Sequence, residues 1–286
     1  MIELKDKKEV NTKIFIDRNY FKSLLNATNS EAFLIIDYLM KRTSEELEIH
    51  FDKFKVREIF MFGSFQISDK KEIEFSDNLS RVSSNSIYHC PIIDFKLPNK
   101  VVEKGYRESA VDNTLTLESI NRIEGPTKAD VSIFITGDSD LAMLPNYLGN
   151  KTVPVLARFN IPEIERYTSS ELSSNFSYVV NFFEDLTKFK FAFSTERKSG
   201  ILLTVQPNTG FISSPNKLAF NSRKDENSGK NVDTPNFYFY KENSKYANES
   251  EGLNLILKRG SKVHFDLKFL YNVKEQRYQF CAVNVE

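Results

Sequence analysis

Short apolar runs alternate with amphipathic stretches over roughly the first two-thirds of the chain. Lys13-Ile-Phe-Ile-Asp17 is the first run, a strand that ends in a carboxylate. From Tyr20 to about Glu48, Phe33, Ile36, Tyr38 and Leu39 recur at helical spacing, which predicts helix. Val56–Phe62 is a second strand, stopped by Gly63-Ser64. Ser68 to Ser86 is polar and charged and reads as an exposed loop. Ile87–Ile93 is a third strand, and its Pro91 argues for a sheet edge. Asp112 to Ile120 begins a helix with Asp112 as N-cap. Val131–Thr136 and Thr152–Leu156 are the fourth and fifth strands. Strands separated by helices predict an α/β, mainly parallel sheet.

The pattern changes near Lys188. Short strand-like runs then follow one another with little helical periodicity: Phe189–Ser194, Ile201–Val205, Gly210–Ser213, Phe237–Tyr240, Lys262–Phe269 and Tyr278–Val285. Asn221 to Pro235 is polar and reads as a loop. This region fits a small all-β barrel or sandwich. Two domains are expected, 1–187 and 188–286.

Composition supports that division. The chain has 286 residues, of which 40% are apolar and 27% charged, with 25 Phe, 12 Tyr and no Trp. This is ordinary globular usage with ample core material. The longest apolar stretch falls far short of the ~20 residues of a membrane span, and the charged N-terminus carries no signal-peptide core. Two cysteines far apart, Cys90 and Cys281, predict a reducing, cytoplasmic setting. Three histidines without a cysteine cluster exclude a sequence-evident zinc site. Net charge is zero but unevenly spread. The first 186 residues hold 23 basic and 29 acidic residues, and the remainder 16 basic and 10 acidic. An acidic first domain could gather carboxylates around a cation, and a basic second domain suits a polyanion.

Asp17 follows the first strand, and Asp138 and Asp140 follow the fourth. Ligands of open α/β sheets bind beyond the carboxyl ends of strands, where strand order reverses. With order 3-2-1-4-5, strands 1 and 4 are neighbours at that point and the three acids converge. Clustered carboxylates call for a hard cation, Mg²⁺ or Mn²⁺. The competing reading of a strand-end Asp is a helix N-cap.

These residues carry a resemblance. Ile14-Phe-Ile-Asp-Arg-Asn-Tyr-Phe21 resembles the opening motif of NYN domains, in the PIN-like ribonuclease superfamily. Met61-Phe-Gly-Ser64 resembles the segment after the second strand of that family. Lys104 to Asp112 resembles its "KGvD" element, with Arg107–Ala110 interposed. Val131–Asp140 resembles the hallmark "SGDsDF", with Thr136 and Leu141 as departures, and Glu171–Phe183 resembles the closing segment. The resemblance spans about residues 11–186. It implies a PIN-like open sheet with helices on both faces and Asp17, Asp112, Asp138 and Asp140 as catalytic, metal-binding acids. Glu118 matches a further acidic position. Asn19, Ser139 and Arg18 would contact substrate. Arg18 stands where the family usually has Gly.

The second domain resembles a cold-shock domain, an OB-type barrel. The matching segments are Lys198–Ile212, Asn236-Phe-Tyr-Phe-Tyr240, Arg259–Phe265 and Ala282–Val285. The resemblance implies base stacking on Phe211, Tyr238 and Tyr240, with Lys241, Arg259 and Lys262 along the phosphates. Together the two resemblances imply a metal-dependent ribonuclease, an endonuclease in the first instance, acting on single-stranded or loop RNA. Its oligomeric state stays open, a homodimer included. The competing expectation is a non-catalytic RNA-binding protein on a degenerate NYN scaffold. A phosphatase is the weakest reading, for want of a Walker-type glycine loop.

Overall fold

The computed structural model describes residues 4–28, 31–64, 70–84, 89–97, 99–102, 105–108, 111–159, 170–181, 191–192, 194, 196–213, 221–224, 231–234, 236–272 and 277–286. The chain divides into two compact units, Met1–Lys190 and Phe191–Glu286. The boundary expected at 187/188 lies outside the described residues.

The first unit is built on a six-stranded parallel sheet. Its strands are β1 (Val10–Asp17), β2 (Phe54–Ser64), β3 (Ile92–Leu97), β6 (Val131–Ile135), β7 (Val153–Arg158) and β8 (Tyr178–Asn181). They lie in the order β3-β2-β1-β6-β7-β8. Counting these six strands alone, the order is 3-2-1-4-5-6: the expected arrangement with one strand added at its far edge. A separate hairpin, β4 (Asn99–Val102) with β5 (Gly105–Glu108), stands apart from the sheet. Central parallel strands are buried on both faces, so they read as continuous apolar runs, and every residue of β6 is buried. Lys13 is buried within β1 because its Nζ meets Glu58 Oε2 at 2.8 Å and the Arg122 carbonyl at 2.7 Å.

Strand alternation separates two faces. On one face Phe15 stacks on Phe60 and on Phe134, both at 5.1 Å, and Phe62 stacks on Phe95 at 4.7 Å. This row of rings is roofed by helix α4 (Val111–Ile123), which buries Val111, Leu115 and Ile123, and by α5 (Leu144–Leu148). Helix α1 (Arg18–Thr28) covers the opposite face, where its Tyr20 meets Phe159 at 6.0 Å. Helices α2 (Ala32–Glu46) and α3 (Lys70–Ser84) and a short helix, Ser170–Asn175, also belong to the unit.

Four expectations are corrected. The region Ser68–Ser86 contains helix α3 rather than a loop, because Phe75, Leu79 and Val82 are spaced to bury on one helical face. The third strand starts at Ile92, after His89 at φ 33° and Pro91. It does occupy a sheet edge. The polar stretch Asn221–Pro235 contains a hairpin, β11 (Asn221–Lys224) with β12 (Asn231–Thr234). In Phe189–Ser194, Phe191 and Ala192 are helical, and residues 189, 190 and 193 lie outside the described residues.

The second unit is a closed five-stranded barrel of β9 (Lys198–Val205), β10 (Thr209–Ser213), β13 (Asn236–Tyr240), β14 (Lys262–Asn272) and β15 (Arg277–Val283). The order is β10-β13-β15-β14-β9, closed by β9 pairing with β10. Strands β13 and β15 run parallel, and the other pairs are antiparallel. Phe237, Phe239 and Phe265 fill the interior. Gly210 is required there, since a Cβ would lie 2.3 Å from the Phe239 ring. Among the described residues, no helix is long and apolar enough to cross a membrane.

Candidate functional site

The carboxyl edge of the parallel sheet gathers the charged residues. Strand β6 ends at Ile135, and Thr136-Gly137 lead to Asp138. Asp138 caps a short 3₁₀ turn, Ser139–Leu141: its Oδ1 accepts from the Asp140 amide at 2.9 Å, and its own amide donates to Thr136 Oγ1 at 3.3 Å. Leu141, Leu144 and Leu148 bury at helical spacing and fix the turn against the core. Asp112 arrives from the other side, in the first turn of α4, where buried Val111 and Leu115 hold the helix to the phenylalanine row.

Asp112, Asp138 and Asp140 each offer a carboxylate oxygen, and the three oxygens lie within 4.8 Å of one another. Asp112 and Asp138 are partly buried, while Asp140 is exposed. Burial pushes the Asp112 carboxyl up to about 6, and the charges of Asp138 and Asp140 and a hydrogen bond with Asp138 push the same way. Three mutually repelling, hard oxygen donors fit a divalent cation of the Mg²⁺ or Mn²⁺ class.

The other expected site residues are placed differently. Asp17 Oδ1 accepts from the amides of Asn19 (2.9 Å) and Tyr20 (3.1 Å), so this carboxylate caps α1 and lies outside the group of three. Glu118 also lies outside it and pairs with Arg122 Nε at 3.1 Å. At 3.6 residues per turn, six residues bring Glu118 to a different side of α4 from Asp112. Asn19 and Ser139 are exposed at the edge.

Arg18 does not face a substrate. It is fully buried, and its Nη1 donates to Asp94 Oδ1 at 2.8 Å and Oδ2 at 2.7 Å. The guanidinium also lies 5.0 Å from the Phe75 ring centre. Gly63 makes the space, since a Cβ there would lie 2.5 Å from Arg18 Cβ. The charge read as a phosphate contact is therefore an internal ion pair.

One further charged residue stands at this edge, Arg158, the last residue of β7. Sequence reading left it unassigned. The rule that singled out Asp17 and Asp138, charge at the carboxyl end of a strand, applies to it equally.

On the barrel, Phe211 and Tyr238 face each other across β10 and β13 with rings 4.9 Å apart. Tyr240 follows at 4.7 Å from Tyr238. Phe211 is 41% exposed, and the two tyrosines are half-buried. Arg259 and Lys262 are exposed, and Lys262 pairs in register with Ile201 of β9. Lys241 is occupied: its Nζ donates to the carbonyls of Glu249 (2.5 Å) and Glu251 (2.8 Å) and ties down the segment after β13.

No protein-family model matches the chain, and no curated protein matches it. Among solved structures, the chain is similar to a protein of unknown function from Vibrio parahaemolyticus, at 16% identity and a TM-score of 0.41. The match covers 63% of this chain and 98% of that one. A similarity of that size informs neither fold nor function.

Proposed function

We propose that the protein is a metal-dependent ribonuclease, with Asp112, Asp138 and Asp140 as the cation-binding acids and the barrel as the RNA-capturing module. The observation that carries this reading is the convergence of three carboxylates at the carboxyl edge of the sheet, beside the point where strand order reverses. A bound Mg²⁺ or Mn²⁺ supplies an acidified water and neutralises charge on a leaving oxygen. The chain's own part is to hold the site. Asp138 is oriented by the turn it caps and Asp112 by the first turn of α4, inside which it lies rather than capping the helix as expected, and the fixed carboxylates lose little freedom on binding. The row Phe211–Tyr238–Tyr240 supports single-stranded RNA as the substrate class, because partly exposed rings along a barrel face stack bases whatever the sequence. A cytoplasmic location accords with two buried cysteines, Cys90 and Cys281, that form no disulfide.

A second reading, RNA binding without cleavage on the same scaffold, is favoured by Asp17, whose carboxylate is engaged by two amides of α1 and stays out of the acidic group. One experiment separates the two. Labelled RNAs, structured and single-stranded, are incubated with Mg²⁺, with Mn²⁺ and with chelator, using wild type and Asp138→Asn. Metal-dependent cleavage that disappears in the variant is expected. RNA retention without cleavage under every condition would transfer the assignment to the binding reading.

A further inference from the structure

At a metal-loaded acidic site the divalent cation meets one phosphate oxygen, and a side-chain cation on the remaining oxygens adds charge-assisted hydrogen bonds. Arg18, the residue sequence reading assigned to that task, is buried against Asp94. The geometry points instead to Arg158 as the phosphate-binding residue of the site, an inference that rests on the hydrolase reading above.

Two lines of observation support it. The first is placement. Ile16 pairs with Ile135 and Phe134 with Leu156, so continuing both registers puts Asp17, Thr136 and Arg158 side by side along the carboxyl edge. Leu156 packs in the same cluster as Val111, Leu115 and Leu141, on the face roofed by α4. Alternation puts Arg158 on that face too, with the helix that carries Asp112 and the turn that carries Asp138 and Asp140. Its neighbour on β8 is Asn181, exposed at the same edge.

The second is its hydrogen-bonding state. Arg158 is half-buried, and its Nε, like those of Arg18 and Arg42, is shut off from solvent without a hydrogen-bond partner; what sets it apart is the rest of the guanidinium. Arg18 and Arg42 have carboxylate partners, Asp94 and Glu45; Arg158 has none among the described residues. A buried donor without an acceptor is unfavourable, and an arriving oxygen relieves it. A guanidinium fork matches two phosphate oxygens. A residue kept for internal stability would be expected to have its acceptor inside the protein. One kept for a ligand waits for it.

The test uses the full chain and a dinucleotide phosphorothioate, diuridine with a slowly hydrolysed linkage, titrated calorimetrically in Mg²⁺. Wild type, Arg158→Gln and Arg158→Lys are compared, with melting temperature as the fold control. The expected result is a 10- to 100-fold loss of affinity in Arg158→Gln, the range for one charge-assisted contact. Partial recovery is expected in Arg158→Lys, with melting temperatures equal to or above wild type. Wild-type affinity in Arg158→Gln, no binding by wild type, or a large fall in melting temperature would overturn the inference. Cleavage is followed on the same preparations. Arg158-dependent binding without cleavage would overturn the hydrolase reading alone, and cleavage with undiminished affinity in Arg158→Gln would overturn the Arg158 assignment alone.

Discussion

Replacing Asp112 by Asn should stabilise the first unit in a pH-dependent way when no cation is present. The carboxyl titrates near 3.8 when unperturbed and at about 6 in the folded protein. A folded-state value above the unfolded one means that the contribution to stability is full below 3.8 and is lost as pH rises through 6. At about 1.4 kcal/mol for each tenfold change in proton affinity, the whole effect is about 3 kcal/mol. The carboxylate is partly open to water, and screening reduces this to about 1 kcal/mol. For a unit of this size that corresponds to a shift of about 2–4 °C. Thermal unfolding of the full chain in chelator, near pH 8 and near pH 4.5, measures it. Asp112→Asn should melt above wild type at the higher pH, and the gap should narrow to about a third at the lower one, where Asp112 is protonated in the folded wild type but still largely ionised in the unfolded chain. A gap of the same size at both pH values would refute the reasoning, as would a variant less stable than wild type near pH 8.

Other outcomes follow from contacts already described. Asp94→Ala leaves the Arg18 guanidinium buried without its carboxylate and should destabilise by about 3–5 kcal/mol in urea unfolding, against little change for an exposed carboxylate such as Asp52. Phe211→Ala and Tyr238→Ala should each weaken binding of a single-stranded RNA by about 1–3 kcal/mol in fluorescence anisotropy, with the melting temperature nearly unmoved. Lys262→Gln should lower the slope of log affinity against log salt by about one, while Lys241→Gln leaves it unchanged because its ammonium is engaged by two carbonyls. Equal slope changes in both variants would contradict the assignment of Lys241 to the fold.

The central strands were legible in the sequence because burial on both faces leaves an unbroken apolar run, as in Ile14–Ile16 and Val131–Ile135. Their order was not in the apolar pattern: 3-2-1-4-5 entered as the arrangement of a doubly wound sheet, in which strands 1 and 4 are neighbours. Helix α3 was missed because its polar composition outweighed three apolar residues whose spacing is visible only when Phe75, Leu79 and Val82 are counted together. The acidic site was partly legible. Asp138 and Asp140 announce themselves after β6, and the resemblance supplied Asp112. Glu118 was a matter of angle around a helix, which residue type alone does not convey. Arg18 was misread because its partner, Asp94, lies 76 residues away, and nothing local distinguishes a buried ion pair from an exposed ligand contact. Arg158 was overlooked because the strand-end argument was applied to carboxylates and not to cations.

The fit between Arg18 and Gly63 restricts how this protein can change over generations. Any side chain at position 63 collides with Arg18 while the arginine is present. Loss of the arginine first strands the Asp94 charge and opens a void beside Gly63. Neither position has a neutral single step away from its present state, so the pair behaves as a ratchet. Because the first atom met is the Cβ of residue 18, Gly63 is required by any side chain there, and the arginine could arrive only where Gly63 was already in place.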